Sequence, residues 1–467
     1  MRCQSVSPFF IRPPRGRPSG STTAVEVDKP LIATADVRTL SLTHGQCFRS
    51  RQAGVFLFLP LLAQLRWDQL VECADYPSTC RVPAPCALLS LLTLKRLDKE
   101  RLSHIDDFNC DEALGLFAGL NILPKKSFAT DYSYRTSRQH QQTLLKGWIR
   151  ALSPLLFPQA NSFSLDFHPI GHRGEHTGLD NHYQPRHGKA GPSVQSFFAV
   201  EYSSGVLCYA NANLTRVEQS QEILRFIEFW YELTQHYPRW LYFDSKLTTY
   251  TELSQINQLQ VHFVTIRCRG SRILKRLTAL PSSAWQKAVI DIPKRRYRHI
   301  RYVDELITVR GYQGTLRQIA VKGLGREQPT LFLSNHFDAS ARQLIINYAR
   351  RNGIEDALGN SVDFFHLDCL SSEVRLNVDL DTVMTVIANG CYRWLACQLK
   401  GFDKAKPKQL YRKFVETSGM IEIQKGQQIV VYFDRRSHNP ILREAQLDKN
   451  NPPIPWLDNY RLKFVYT

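Results

Sequence analysis

From Phe157 onward, short apolar runs alternate with longer amphipathic ones, and this alternation limits the fold more than any other feature of the chain. NSFSLDF (Asn161–Phe167) has the pattern of a strand ending near Asp166. SVQSFFAVEY (Ser193–Tyr202) and GVLCYANANL (Gly205–Leu214) read as a hairpin turning at Ser203-Ser204-Gly205. Val217–Pro238 carries apolar residues at 223, 224, 226, 227, 230, 231 and 233, the period of a helix that Pro238 ends. RWLYFDSK (Arg239–Lys246) is then a strand ending at Asp244, TYTELSQINQL (Thr249–Leu259) a helix, and VHFVTIRC (Val261–Cys268) a strand. This order predicts an α/β class with the strands in one sheet. The polar stretch 168–192 is rich in His, Gly and Arg, but no His spacing in it suits a metal. It is expected to be a loop facing substrate.

The flanks differ in character. Residues 1–48 are expected to be a flexible basic leader, because RPPRGRPSGSTT (Arg12–Thr23) combines Pro, Gly, Ser and Arg. Residues 49–153 read as helical, with Lys125 and Lys126 at a turn beside Pro124 and with Thr130 and Asp131 as caps for a further helix. A helical unit with a basic turn suits contact with DNA, and equally suits dimerisation or packing alone. Residues 287–336 read as several strands (AVIDI, HIRYV, LITVRGY, LRQIAVKG and PTLFLSN) carrying Lys294, Arg295, Arg296, Arg298 and Arg301. Such strands can lie along a duplex and bind phosphate. A buried helix over Val378–Phe402 and a mixed region, 403–467, complete the chain.

Lys and Arg number 60 against 42 Asp and Glu, a formal net charge of +18 with a pI near 9.5. A chain this basic is expected to meet a polyanion, most commonly nucleic acid. The cysteines are scattered without a CxxC pair, which argues against structural zinc. No signal-peptide pattern is visible, so reduced thiols inside a cell are expected. The longest apolar run, Ala53–Leu65, is too short to span a bilayer and contains Pro60. No membrane partner is expected.

Tyr348, Arg351 and Glu355 are spaced three and then four residues apart, which puts a phenol, a cation and an acid on one face of a predicted helix. By itself this is the pattern of a solvated ion pair. Asp166 and Asp244, each at the end of a predicted strand, change its meaning. Acids at strand ends of an open sheet point into the crevice where ligands bind. Three carboxylates without a His or Cys ligand set suit a hard cation, Mg²⁺ or Mn²⁺. Two such ions about 3.5–4 Å apart can drive an in-line phosphoryl displacement. The bland alternative for either Asp alone is a turn or cap residue.

The order Asp166, Asp244, Tyr348-x2-Arg351-x3-Glu355, with strands inserted before the Glu, resembles the DDE-type transposases of bacterial insertion sequences. It is most similar to the insertion-sequence-four-like group, which carries that β-strand insertion. Phe243–Arg269 resembles the group's second-Asp region, and the segment from GVFLFLPLLAQL through LPKKSFATDYSYR resembles its N-terminal helical region. The resemblance implies a ribonuclease H-like catalytic core over 154–402 with a β-rich insertion at 287–336, preceded by a helical domain. It implies Asp166, Asp244 and Glu355 as catalytic ligands of two Mg²⁺ or Mn²⁺ ions. Tyr348 and Arg351 would hold the DNA backbone, with Lys125, Lys126, Arg295, Arg296 and Arg298 as further DNA contacts. The partners would be double-stranded DNA at transposon ends and target, bound as a homo-oligomer, in the cytoplasm on a bacterial nucleoid. One departure stands out: two turns beyond the Glu, where the group carries Lys, this chain has Val362. Asp356, Asp363 and Glu373 are alternative third acids off the Tyr–Arg face. A DNA-binding relative without catalysis, or a two-metal nuclease without strand transfer, are the competing readings.

Overall fold

The computed structural model describes Val37 and residues 40–466, apart from 110, 173–177, 185–187, 245–247, 293–297, 370, 371, 373, 450 and 451. Of the leader expected over 1–48, Val37 and residues 40–48 are described, and Cys47 and Phe48 belong to the first strand rather than to a flexible segment; Arg295, Arg296 and Glu373 lie outside the described residues. From Asp36 on, the chain forms one compact unit.

After strand β1 (Cys47–Ser50) the chain is helical as far as Leu156. The apolar run 53–64 forms a 3₁₀ turn, Ala53–Phe58, and a short helix, Leu59–Gln64, with Pro60 in its first turn, where a missing N–H costs nothing. The expected caps Thr130 and Asp131 lie inside the helix Lys126–Ser133. Ser137 caps the next one, Arg138–Leu156, its side chain accepting from the His140 N–H.

Ten further strands and β1's partners follow. They are β2 (Ser162–Gly171), β3 (Asn181–Gln184), β4 (Lys189–Glu201), β5 (Leu207–Asn211), β6 (Trp240–Phe243), β7 (His262–Ile266), β8 (Gln286–Val289), β9 (His299–Ile307), β10 (Leu316–Lys322) and β11 (Thr330–Ser334). They share a single 10-stranded sheet in the order β3-β4-β2-β6-β7-β11-β10-β9-β8, with β5 also on β4. β2, β6 and β7 are parallel, whereas β4 runs antiparallel to β2 and to β5. The segment 287–336 extends this sheet from β7 as an antiparallel meander. HIRYV and the start of LITVRGY, expected as separate strands, form the one strand β9. A second, four-stranded sheet joins β1 to β12 (Gly419–Gln424), β13 (Gln428–Phe433) and β14 (Arg461–Tyr466).

Two sequence expectations change here. β2 continues past Asp166 to Gly171, pairing with β4 from Phe163↔Glu201 to Gly171↔Ser193. Part of the expected loop 168–192 is therefore strand. Backbone pairing needs no apolar side chains, so the ladder persists where the alternation ends. The single helix expected to carry Tyr348, Arg351 and Glu355 is two, Ala341–Ala349 and Asn352–Asp363. At their joint the Arg351 N–H donates to Tyr348 O (2.9 Å) and the Gly353 N–H to Arg350 O (3.1 Å), a tighter winding than α.

The two faces of the sheet are covered differently. Phe163 of β2 packs on Phe226 and Trp230 of the helix Glu222–Thr234. On the other face, Tyr242, Val264, Ile319 and Phe332 meet Leu344 and Ile345 of the helix Ala341–Ala349. The helix Arg375–Gln398 threads the main core, packing on Arg138–Leu156, Ala84–Arg96 and β5. The N-terminal helices thus share one hydrophobic core with the strands, with Phe56, Phe58 and Phe117 in the same cluster as Phe163, Phe197 and Tyr392. Among the described residues, no helix is long and apolar enough to cross a membrane.

Candidate active site

Alternation along β2 sends Phe163 and Leu165 into the core and points Asp166 and His168 to the opposite face. The parallel register aligns Ser164 with Tyr242, which carries Asp166 level with Asp244, the residue just past the end of β6. Neighbouring strands lie about 4.8 Å apart, so the two aspartates are lateral neighbours. Burial is the largest cause of a raised Asp166 pKa; Arg351 and the Phe167 N–H (2.9 Å to Oδ1) work against it, and the charge of Asp244 adds a smaller upward push.

Arg351 is the hub. Its side chain is only 10% exposed. Nη1 lies 3.2 Å from Asp166 Oδ2 and Nη2 3.5 Å from Glu355 Oε1, and the guanidinium sits 5.5 Å from the centroid of the Tyr348 ring. Tyr348 is half-buried and stacks edge-on to Phe332. Burial pushes its phenol pKa up, and the charges of Asp244 and Asp166 add to that while Arg351 opposes it. The structure therefore brings Tyr348, Arg351, Asp166 and Glu355 together, with Asp244 beside them. The spacing survives the break in the helix because the joint winds in the same sense as the helices it links.

A groove of about 540 Å³ runs from Asp166 between β2 and the helix Asn352–Asp363. Glu355, Leu358, Gly359 and Val362 form its helical wall, one stripe of that helix. Val362, the position where the resemblance expects Lys, thus faces the groove as an apolar side chain. Asp356 and Asp363 are exposed elsewhere on the helix. The opposite wall holds His168, whose Nε2 lies 2.5 Å from Asp368 Oδ1. Neither residue stood out in the sequence. His168 could have been found from its two-residue offset from Asp166, which puts both on one strand face. Asp368 carries no comparable local signal.

Of the other expected DNA contacts, Lys125, Lys126 and Arg298 lie apart from this groove's lining. Lys125 and Lys126 are exposed at the start of the helix Lys126–Ser133, and Lys126 Nζ pairs with Asp106 at 3.3 Å. Arg298 is exposed, 3.9 Å from Asp291. Arg295 and Arg296 fall outside the described residues.

The donor set fits a hard cation in its chemistry, since all three acids offer oxygen and a cation would offset both the burial and the repulsion that disfavour ionised Asp166. As the side chains stand, the guanidinium of Arg351 lies between two of these acids. Among the described residues no group of three or more His, Cys, Asp or Glu is close enough to hold a metal ion.

No family model matches the chain, and no curated protein matches it. Among solved structures, a piggyBac transposase synaptic complex with hairpin DNA is distantly similar. It is 12% identical, covers 79% of this chain and 82% of that chain, and has a TM-score of 0.40.

Proposed function

We propose that this chain is a DDE-type transposase, which binds the ends of its element and cuts and joins DNA with divalent metal. The observation that carries this reading is the alignment of Asp166 with Asp244 on adjacent parallel strands, with Glu355 brought to Asp166 by a shared Arg351. A ribonuclease H-like core is supported by three parallel strands, β2, β6 and β7, continued by antiparallel β4 and β5. The β-meander between β7 and the Glu355 helix is the counterpart of the insertion that marks the insertion-sequence-four-like group.

In this reading Asp166, Asp244 and Glu355 hold two Mg²⁺ or Mn²⁺ ions. When bound, the ions activate the attacking oxygen (water for cleavage, a 3′-hydroxyl for joining) and stabilise the leaving oxygen. Arg351, released from the acids, turns its fork to a backbone phosphate. Tyr348 supports it from behind. The net charge of +18 draws duplex DNA to the surface, and the protein works as a homo-oligomer that pairs two ends.

The test is a cleavage and strand-transfer assay with the full chain, Mg²⁺ and duplexes carrying the repeats that flank its gene. Wild type should nick at the repeat and yield joined products, and Asp244→Ala should do neither. Equal behaviour of the two proteins would sink the enzyme reading, and cleavage without joined products would leave a two-metal nuclease. One observation favours a second reading: Val362 puts an apolar side chain on the groove wall where a phosphate-holding cation is expected. A DNA-binding relative without catalysis would shift the same duplexes in a gel and leave them intact.

A further inference from the structure

The helix Asn352–Asp363 is tied to strand β2 near both of its ends. At its start, Arg351 reaches Asp166 at 3.2 Å. Beyond its end, Asp368 meets His168 at 2.5 Å, the imidazole N–H donating to the carboxylate. Asp166 and His168 are two residues apart and share one face of the strand. Both ties therefore fix the spacing between the strand that carries Asp166 and the helix that carries Glu355.

The two ties differ in what stands behind them. Asp368 sits in a single 3₁₀ turn, Leu367–Cys369, that is locked to the core. Phe364 and Phe365 are 1% exposed and pack on Tyr392, and Leu367 is fully buried. His366, in the left-handed conformation at φ 54°, anchors to Asp98 at 2.9 Å. This end of the connection cannot swing without opening the core. The Arg351 tie consists of one guanidinium shared by two acids, and the Glu355 side chain is 59% exposed. A divalent cation taken up by Asp166 and Glu355 competes directly with Arg351 for the same oxygens.

We infer that His168 and Asp368 are a positioning pair, which holds the Glu355 helix on the Asp166 strand when Arg351 gives up its contacts to an incoming cation. The inference rests on reading Asp166 and Glu355 as cation ligands. Through the His168–Asp368 contact, the pair sets the distance across which the cation is bound. Residues that orient ligands from outside typically change metal affinity by about 10–100-fold when removed.

The test is Mn²⁺ binding to the full chain, followed by the EPR signal of free Mn²⁺, with thermal unfolding in metal-free buffer as the control for folding. His168→Ala and Asp368→Ala should each raise the half-saturating Mn²⁺ concentration about ten-fold, near the low end of that range. The double variant should be no worse than either single one, because the two residues act as one tie. Asp368→Asn keeps an acceptor oxygen for His168 and should stay near wild type. Wild-type affinity in His168→Ala, or additive losses in the double variant, would overturn the pair. If Asp368→Ala does not fold, His168→Ala and Asp368→Asn decide alone. A wild type that binds no Mn²⁺, or an Asp166→Asn Glu355→Gln variant that binds it as well as wild type, overturns the cation site itself and the pair with it. That outcome is distinct from losing the pair while wild type binds.

Discussion

Two arginine–aspartate pairs in this molecule use the same chemistry to opposite ends. Arg138 Nη1 lies 2.7 and 2.6 Å from the two oxygens of Asp379, which is fully buried between helices Arg138–Leu156 and Arg375–Gln398. The Ala212 N–H donates to the same carboxylate at 2.8 Å, joining β5 to the pair. One cation meets one anion, with the geometry of a strong charge-assisted bond. Arg351 instead divides its fork between Asp166 and Glu355 at 3.2 and 3.5 Å, with Asp244 alongside. Two acids share one guanidinium at the edge of a groove. The first pair has its charge balanced and its oxygens taken, so it can only hold the fold. In the second, one guanidinium is divided between two carboxylates at longer distances, and the Glu355 side chain is 59% exposed, so its oxygens remain open to exchange.

Four experiments would break or sharpen that contrast. The largest expected effect is on catalysis. Asp166→Ala or Asp244→Ala should lower Mg²⁺-dependent strand cleavage by about a thousand-fold, since metal stabilisation of the transition state is worth several kcal/mol. Their urea midpoints should move little. Asp379→Ala should do the reverse and destabilise the fold by about 3–5 kcal/mol, the usual result of stranding one partner of a buried pair. If it bound DNA and cut it with normal stability, the contrast would collapse.

Next in size is ligand stabilisation. Mg²⁺ at about a hundred times its dissociation constant should stabilise wild type by about 2.7 kcal/mol in chemical unfolding. An Asp166→Asn Glu355→Gln variant should show no such gain, while Arg138→Lys, which perturbs only the other pair, should keep it.

The smallest effect concerns pH without metal. Asp166 is raised above its ordinary value of 3.8, chiefly by burial. A group raised on folding contributes stability that is complete below its unfolded value and is lost as pH rises through the folded one. Wild type should therefore lose stability relative to Asp166→Asn as pH climbs past the ordinary aspartate range. A difference in Tm that stays flat from about pH 4 to about pH 7, a span of about three units above the ordinary aspartate value, would show that Arg351 cancels the effect of burial.

Much of the fold was legible because its signals are local. The apolar period of Val217–Pro238 and the run before Asp244 place the helix Glu222–Thr234 and strand β6 within a few residues of where they lie. The Tyr348, Arg351, Glu355 spacing found its cluster even though the helix is broken, since the three-residue step from Tyr348 to Arg351 crosses the tighter joint, where i and i+3 eclipse, and the four-residue step to Glu355 runs into the next α-helix. Strand β2 beyond Asp166 was not legible, because its polar residues are held by pairing with β4 rather than by burial. The His168–Asp368 contact was hidden for another reason: its partners meet only once Phe364, Phe365 and Leu367 have packed into the core.

Sequence alone pointed to Asp166, Asp244, Arg351 and Glu355 as charged residues near the ends of predicted elements, since periodicity and spacing act over a few residues, but not to where β2 ends or where the helix breaks. Tertiary structure decided the rest. Parallel pairing of β2 with β6 set Asp166 level with Asp244, and packing of the Glu355 helix across β2 put one arginine between two acids. Register and packing are properties of the whole sheet, so no local stretch of this chain contains them.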